Sequence, residues 1–573
     1  MSRLANVGVL CDNKAAQARW VKGENVFEKF IVEVLEHAGI PFRLLHSAEE
    51  IYSCDVVIIA LEPSSTDPSG QEILWDYAEG GGLLISFAGL NCFANRLGCV
   101  IHSTTGPGYA MLPNTLGDSR PLRYIEATIW NDNRMLDSDN PPITASLGML
   151  KSSPLSEEKV LGAAMQCFPV GRGILHRWAV NLPATWVGLQ QGTKPVTQDG
   201  FPAPDGTAAI DDMFLKADDS FELDWDMDRV KVGTGAAYFP YPYSDLWKEA
   251  FIGHLLKETT KLGLTLPFVG YWPDGIEQVA MISHDSDRNI DDAAVTTLAV
   301  LKEYNVRSTW CMLEPGYSPY IYEQVIADGH ELALHYNAME DQNGKWGEQE
   351  FARQINWLKK VTGLEQCTSN KNHYTRFEGW GELFQWCERH GVEADQTRGP
   401  SKKGNVGYLF GTCHPYFPIA YSDEENRFYN VLEMGFLIQD HQDHAMLAKD
   451  SVLACLLEEA RRVKGVAHFL FHQFHVHNQP GIRETLRKVI HTANEYGFTF
   501  MTGKEINDWE RARRNIYITG LNTSGEVEFR STSIHTLHPE FVIWIPLTDN
   551  QDMYTTHTEC RFGVVCRKQV ASF

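Results

Sequence analysis

The sequence predicts an α/β protein: a (β/α) barrel of roughly seven repeats, preceded by a doubly wound α/β unit and followed by a small β-rich tail. Three observations predict it. Short apolar runs and helix-length amphipathic stretches alternate over residues 1–90, and again at a steady pace from 278 to about 512. At 573 residues the chain exceeds one ordinary domain. The third is Val279–Asp287 (VAMISHDSD), where four apolar residues suited to a buried strand run into clustered polar ones. The expected division is 1–265, 266–513 and 514–573.

Composition excludes several functions. Hydrophobic residues make up 43% and charged residues 22%, with 15 Trp and 28 Phe, enough for several cores. The formal charge of −24, from 74 acidic and 50 basic residues, repels nucleic acid and anionic lipid, and no large basic patch offsets it. No apolar run approaches bilayer length, so no membrane span is expected. The 12 cysteines are scattered without a C-x-x-C pair, which suits a reducing compartment. Val7–Leu10 already reads as a strand, so no secretory signal is expected to precede the fold. The expectation is a cytoplasmic protein.

In the first unit, Val7–Leu10, Phe42–Leu45, Asp55–Leu61 and Leu83–Phe87 read as strands. Asn25 reads as the cap of a helix with Val26, Phe27, Phe30, Ile31, Val34 and Leu35 on its apolar side, and Asp67-Pro68 as the start of another. The βαβαβ order implies a parallel sheet. Cys92 is not flanked like a nucleophile elbow and reads as a small packing residue. The unit resembles flavodoxin-like domains of the class I amidotransferase superfamily, without their nucleophile. Residues 100–230 read as insertions and a partial β layer. Within them Phe221–Asp228 (FELDWDMD) alternates as a half-buried strand with a solvated acidic face; as a Ca²⁺ loop it fails, with Arg229 and Gly235 where glycine and glutamate are needed. Ala236–Pro240 and a helix from Ser244 to Lys257 return the chain toward the first sheet, and Gly270–Pro273 reads as a connection.

From 278 onward strands are expected at the start of Val279–Asp287 and at Ser308–Leu313, Glu331–Asn337, Val392–Thr397, Phe428–Ile438, Val466–His472 and Phe498–Met501. Helices are expected at Asp291–Tyr304, Tyr320–Ala327, 347–361, Asp443–Val463 and Pro480–Tyr496. In the tail, Phe541–Ile545 reads as a buried strand.

Chemistry in a parallel barrel gathers at the carboxyl ends of the strands. Those ends carry Asp285 and Asp287, His335, His373 with Arg376, Asp395, and His472. With a side-chain period of two, Asp285 and Asp287 point the same way, and two adjacent carboxylates there are costly without a metal or a proton. The same residues also read as a helix cap. A lone histidine at a strand end is more often structural, so the coincidence of several ends carries the reading. Carboxylate and imidazole together suit Zn²⁺, with Co²⁺, Ni²⁺ or Fe²⁺ on the same ligands.

Residues 278–510 resemble the polysaccharide deacetylases of the NodB-homology type (carbohydrate esterase family 4), in the branch whose first motif reads H-D-x-D. The resemblance rests on His284-Asp285-Ser286-Asp287, Gly329–His335 (GHELALH), His373–Phe377 (HYTRF), Gly411–Tyr416 (GTCHPY) and Phe471-His472. It implies a distorted (β/α)7 barrel and a metal-dependent hydrolase. Asp285 would be the general base, Asp287 and His335 metal ligands, and His472 the proton donor to the leaving group with Asp395 as its carboxylate partner. Arg376 would pair with Asp285. Met339 stands where the family has a second histidine, so His373 is the candidate third ligand, with His414 in reserve.

The expected activity is removal of N- or O-acetyl groups from a carbohydrate. Tyr336, Tyr374, Trp380 and Tyr416 are candidates to stack on sugar faces, and His475 or His477 to line the pocket. Two alternatives stand beside it: hydrolysis of a non-carbohydrate C–N bond in a small amide, and a degenerate barrel acting as a carbohydrate-binding or scaffold protein. The first unit is a candidate for homo-oligomer contacts.

Overall fold

The computed structural model describes the whole chain except residues 1–2, 65–66, 133–144, 156, 211–213, 442–448, 533–538 and 549–557. The first sheet grows from Val7–Cys11, five buried residues in a row. Parallel strands lie in the order Arg43–Leu45, Val7–Cys11, Val56–Leu61, Leu83–Phe87 and Gly173–Trp178. Met165–Val170 and Ala145–Leu147 extend the last of these with antiparallel pairing. Both faces are covered, as parallel sheets require: Val9 and Ile58 enter one core, Leu10 and Ile59 another.

Asp67 caps Pro68–Glu79 by accepting the Gly70 N–H at 3.1 Å, with proline in the first turn. Asn25 is not a helix cap. A 3₁₀ turn, Phe27–Lys29, precedes the helix Phe30–His37 instead. Sequence pattern also missed the helix Asn13–Trp20, which is short and polar and is set by Asp12 accepting from the Ala15 N–H at 2.8 Å.

Phe221–Asp228 is not a strand. The Asp224 carboxylate accepts the N–H groups of Asp226 and Met227 and turns the chain there. Asp228 is consequently buried, bonded to the Asp224 N–H at 2.7 Å and the Tyr109 hydroxyl at 3.1 Å, not on a solvated face. The helix Tyr243–Lys261 then crosses to the second half.

The second half is built on parallel strands in the order Leu432–Glu433, Ala394–Asp395, Ser369–Asn372, Glu331–Tyr336, Thr309–Met312, Val279–Asp285, Val466–His472 and Ile438–Gln439, with Thr499–Phe500 also pairing to Val279–Asp285. The two edge strands, Leu432–Glu433 and Ile438–Gln439, are joined by Met434–Leu437 alone. Five Cα–Cα steps from Glu433 to Ile438 reach at most about 18 Å, so the sheet must curl until its edges approach each other. The result is a curled parallel half-barrel with an open seam. The expected single strand Phe428–Ile438 is thus two short strands flanking that seam. The expected helix Asp443–Val463 is seen as Leu453–Val463, its first residues lying outside the described ones. No helix among the described residues is long and apolar enough to cross a membrane.

Phe268–Pro273, read from sequence as a connection, is a strand. It pairs antiparallel with Glu540–Pro546, which pairs in turn with Val564–Ser572 and that with Thr558–Arg561. The tail's apolar strand therefore buries itself against residues ahead of the half-barrel, with Phe541, Ile543 and Ile545 in a core shared with Val279 and Met281.

Candidate metal centre

Val279–Asp285 is buried at every position and sits between Thr309–Met312 and Val466–His472. Beyond it the Ser286 N–H still bonds the Cys311 carbonyl at 3.1 Å, and the Ser286 hydroxyl accepts the Leu313 N–H at 2.8 Å. Past Ser286 the chain turns, with the Asn289 N–H on the Ser286 carbonyl at 2.6 Å, and Asp287 stands in that turn. Asp285 and Asp287 both line the cleft at the open end of the curl, whereas His284 packs against Trp310 and burial pushes its imidazole down to about 3.

His335 reaches the same point from Glu331–Tyr336. Its Nδ1 lies 3.0 Å from the Lys371 carbonyl, an acceptor only, so Nδ1 carries the proton of the neutral ring and Nε2 carries the lone pair. That Nε2 is 3.3 Å from Asp287 Oδ1 and 3.6 Å from Asp285 Oδ2. Neither His335 Nε2 nor Asp287 Oδ1 has a hydrogen-bond partner, although both are buried. A lone pair aimed at two carboxylates is repulsive unless a cation or proton lies among them.

His373 comes from a turn at the end of Ser369–Asn372 in which Tyr374 and Thr375 both take positive φ. Its Nε2 is 3.7 Å from Asp287 Oδ2, and one donor atom each from Asp287, His335 and His373 lies within 4.8 Å of the others. Burial lowers the His373 imidazole despite the pull of Asp287, which keeps it neutral and able to ligate. Burial acts to raise Asp287, but His472, His335 and His373 outweigh it and hold that carboxyl well below the ordinary range.

His472 ends Val466–His472, with Nε2 3.6 Å from Asp287 Oδ2. Its partner is not Asp395. It is Asp440, just past Ile438–Gln439, whose carboxylate contacts His472 Nδ1 and accepts the His472 N–H at 2.9 Å. Asp440 also lies 2.9 Å from His475 Nδ1. Burial alone would lower His472; Asp440 and Asp287 push it up to about 10. Asp395 is instead fully buried, accepting from Asn370 Nδ2 at 2.7 Å and from Thr397; it pairs with Asn370, which is level with Leu334 and so one residue short of His335.

Arg376 does not pair with Asp285 either. Its guanidinium bonds Glu378 Oε1 at 2.7 Å and the Ala338 carbonyl, since the chain turns outward after His373. The cation beside Asp285 is Lys371, 3.4 Å away and fully buried. Lys371 Nζ donates to Ser283 Oγ at 2.5 Å, and Ser283 Oγ bonds His468 Nε2 at 2.8 Å. His414 lies elsewhere, its Nε2 2.8 Å from the Val463 carbonyl and its ring against His37 and Tyr271. Met339 is buried and belongs to no cluster of metal-ligating type among the described residues.

A cleft of about 300 Å³ opens over this group, lined among others by Lys216, Arg288, Tyr374, Phe474 and His475. Of the four aromatics considered for sugar stacking only Tyr374 is exposed there; Tyr336, Trp380 and Tyr416 are core residues. His477 bonds Thr296 at 2.7 Å. Sequence reasoning missed Lys371 and Asp440, whereas His475, expected as a pocket residue, does line the cleft. The available signal was a polar residue at a parallel strand's end, which Asp440 is, and a lysine inside a strand, which Lys371 is. A separate cavity of about 210 Å³ lies against the C-terminal sheet beside Glu249, Tyr271, Trp272 and Trp544. It holds no metal-ligating cluster among the described residues.

No protein-family profile matches the chain, and no curated protein matches it. Among solved structures it is similar to a Mycobacterium smegmatis protein provisionally described as a polysaccharide deacetylase, at 17% identity, covering 45% of this chain and 98% of that one with a TM-score of 0.33. It is also similar to a family 4 acetyl xylan esterase from Clostridium thermocellum in complex with cobalt, at 14% identity, 40% and 90% coverage and a TM-score of 0.26. A β-galactosidase from Rahnella sp. R3 matches at 15% identity with a TM-score of 0.24, covering 31% of this chain and 29% of that one. Likenesses at this level do not place the chain in a family.

Proposed function

We propose that the chain is a metal-dependent hydrolase that removes N- or O-acetyl groups from a carbohydrate, with Asp287, His335 and His373 as the metal ligands. The observation that carries this reading is the orphaned His335 Nε2 facing Asp287 Oδ1 at 3.3 Å, its other nitrogen tied to a carbonyl. Two buried acceptors held in that way fit a cation, and one carboxylate with two imidazoles fits Zn²⁺ or a neighbouring first-row metal. When bound, such a metal supplies a Lewis acid that polarises a carbonyl and acidifies water. Asp285, oriented by Lys371, takes the proton of the attacking water. His472, kept protonated by Asp440, delivers a proton to the leaving amine or alcohol. Lys216 and Arg288 flank the substrate, and Tyr374 offers it an exposed ring.

The residues 266–513 form the catalytic domain in this reading. The first 265 residues, whose parallel strands follow a 2-1-3-4-5 order like that of flavodoxin-like sheets, form its support, and 514–573 a small β-rich domain.

The test pairs metal content with release of acetate from N- and O-acetylated saccharides. Asp285→Ala should keep the metal and lose turnover, whereas Asp287→Ala should lose both. A wild-type chain that takes up no transition metal, or two variants that both still turn over, would overturn the assignment. A second reading is favoured by the size of the cleft: about 300 Å³ lies at the lower end for ligand sites, which suits a compact cyclic amide hydrolysed by the same groups. Turnover of small amides without turnover of acetylated sugars would select it.

A further inference from the structure

The turn that carries Asp287 also carries a cation. It is closed by the Asn289 N–H on the Ser286 carbonyl, with Asn289 at positive φ, and Asp287 and Arg288 are its two corner residues. Both line the cleft. The Arg288 guanidinium lies over the Phe474 ring, 5.6 Å from its centre, and Phe474 lines the same cleft. Arg288 is exposed and makes no ion pair or hydrogen bond among the described residues. In a chain with 74 acidic and 50 basic residues, arginines otherwise find carboxylates readily: Arg353 takes Glu314 and Glu350, and Arg487 takes Glu303 and Glu484. The carboxylates of the cleft are committed elsewhere, Asp285 to Lys371, Asp440 to two imidazoles, and Asp287 to the histidines around it.

A second cation reaches the cleft from the first unit. Lys216 forms an isolated antiparallel bridge with Arg376, and the Phe377 N–H bonds the Leu215 carbonyl at 3.0 Å. The Asp218 carboxylate accepts the N–H groups of Ser401 and Lys402, each at 3.0 Å. These bonds fasten the segment to the half-barrel and set Lys216 in the cleft wall, its Nζ 5.8 Å from the centre of the exposed Tyr374 ring.

We propose, resting on the reading of the cleft as a carbohydrate site, that the saccharide it takes carries an anionic group, a carboxylate or a phosphate, and that Arg288 binds that group while Lys216 adds to the positive field. A guanidinium offers two parallel N–H donors that match either anion, and stacking on Phe474 leaves those donors unspent. A chain of net charge −24 repels an anion over most of its surface, so cations placed at the cleft are what admit one there. With Arg288 next to Asp287 in the chain, the anion would lie close to the acetyl group that is removed.

The test titrates the full chain carrying Asp285→Ala, so that nothing is consumed, with N-acetylglucosamine, its 6-phosphate and N-acetylglucosaminuronic acid, read by calorimetry. At least one of the two anionic sugars should bind about 10–100-fold more tightly than the neutral one, the range for a hydrogen bond to a charged group, and the tighter of them identifies the anion. Adding Arg288→Gln should remove that preference and leave the affinity for N-acetylglucosamine unchanged; Arg288 is exposed, so the variant should fold. Lys216→Gln should reduce the preference by less, and added salt should weaken it in the parent. Equal affinities for all three sugars, binding of none, or a preference that survives Arg288→Gln overturns the proposal. Acetate release by the wild type without any anion preference sinks this proposal alone, whereas an anion preference without acetate release sinks the deacetylase reading alone.

Discussion

Two parallel sheets in this chain carry polar residues at their strand ends, and they treat them in opposite ways. In the first sheet Asp12 caps a helix, Glu62 accepts the Leu90 N–H at 2.6 Å, and Arg177 donates to the carbonyls of Ala88, Gly89 and Thr128. These bonds hold loops, and of the three residues only Arg177 keeps a buried atom, Nη1, without a hydrogen-bond partner. In the half-barrel Asp285 Oδ1, Asp287 Oδ1, His335 Nε2 and His373 Nδ1 are buried with no hydrogen-bond partner and gather beneath a cleft. Both patterns look alike in sequence. What distinguishes a site is not polar residues at strand ends, nor a single unpaired atom such as Arg177 Nη1, but several unpaired atoms from different strands gathered at one point, at a cost that packing elsewhere offsets.

The sharpest way to break this contrast is Asp287→Ala, which removes the carboxylate that three histidines face. The metal held at the cleft should be lost, measured by elemental analysis, and acetate release should fall to background. Next is Asp285→Asn, for which kcat should drop by about 10²–10⁴-fold with metal retained, the range typical of losing a positioned proton acceptor. Asp440→Asn should cost less, about 10–100-fold in kcat/KM, as the loss of a carboxylate that orients a functional imidazole does. It also has a signature in pH. His472 is raised to about 10, so the protonated form persists through neutrality and is lost only as pH rises through that value. Without Asp440 the alkaline limb of kcat/KM should move down toward the ordinary imidazole range. Asp395→Asn should leave that limb where it is, because Asp395 touches Asn370 and Thr397 and not His472.

The smallest effect belongs to the first sheet. Burial pushes the Glu62 carboxyl from 4.5 up to about 7. A raised acid stabilises the fold below its unfolded value and loses that contribution as pH rises through the folded one. Glu62→Gln mimics the protonated form and can still accept from Leu90. It should therefore raise stability by about 1–3 kcal/mol at pH 8, leave it nearly unchanged at pH 4, and not alter kcat. A change in kcat would mean that the two sheets are not as different as their hydrogen bonding implies.

Long apolar strands were legible because their pattern is dictated by burial on both faces: Leu83–Phe87 and Val466–His472 fall where the sequence places them. The alternating run Phe221–Asp228 misled because a single side chain, Asp224, offers its backbone a turn that a period-two pattern cannot reveal. At the mouth of the curl, residues carried on the long strands could be located by counting, as with Asp285 and His335. Pairings across strands could not. Asp395 ends the strand Ala394–Asp395 and Asp440 follows Ile438–Gln439, and only the strand order, which sets Ile438–Gln439 beside Val466–His472, decides which one meets His472. Lys371 was invisible for a related reason, since a lysine in a polar strand, Ser369–Asn372, reads as surface until the barrel closes around it.

The seam has a further consequence. It is bounded by two strands of two residues each, so few ladder bonds must break before it opens, and such segments sit at the low end of local stability. Asp285, Asp287 and His335 ride on or beside longer strands away from it, whereas Asp440 is delivered by the edge strand itself. Hydrogen exchange should therefore find Ile438–Gln439 opening before Val279–Asp285. During folding the ligand set can assemble first and the proton donor be tuned last, when the two edges come together.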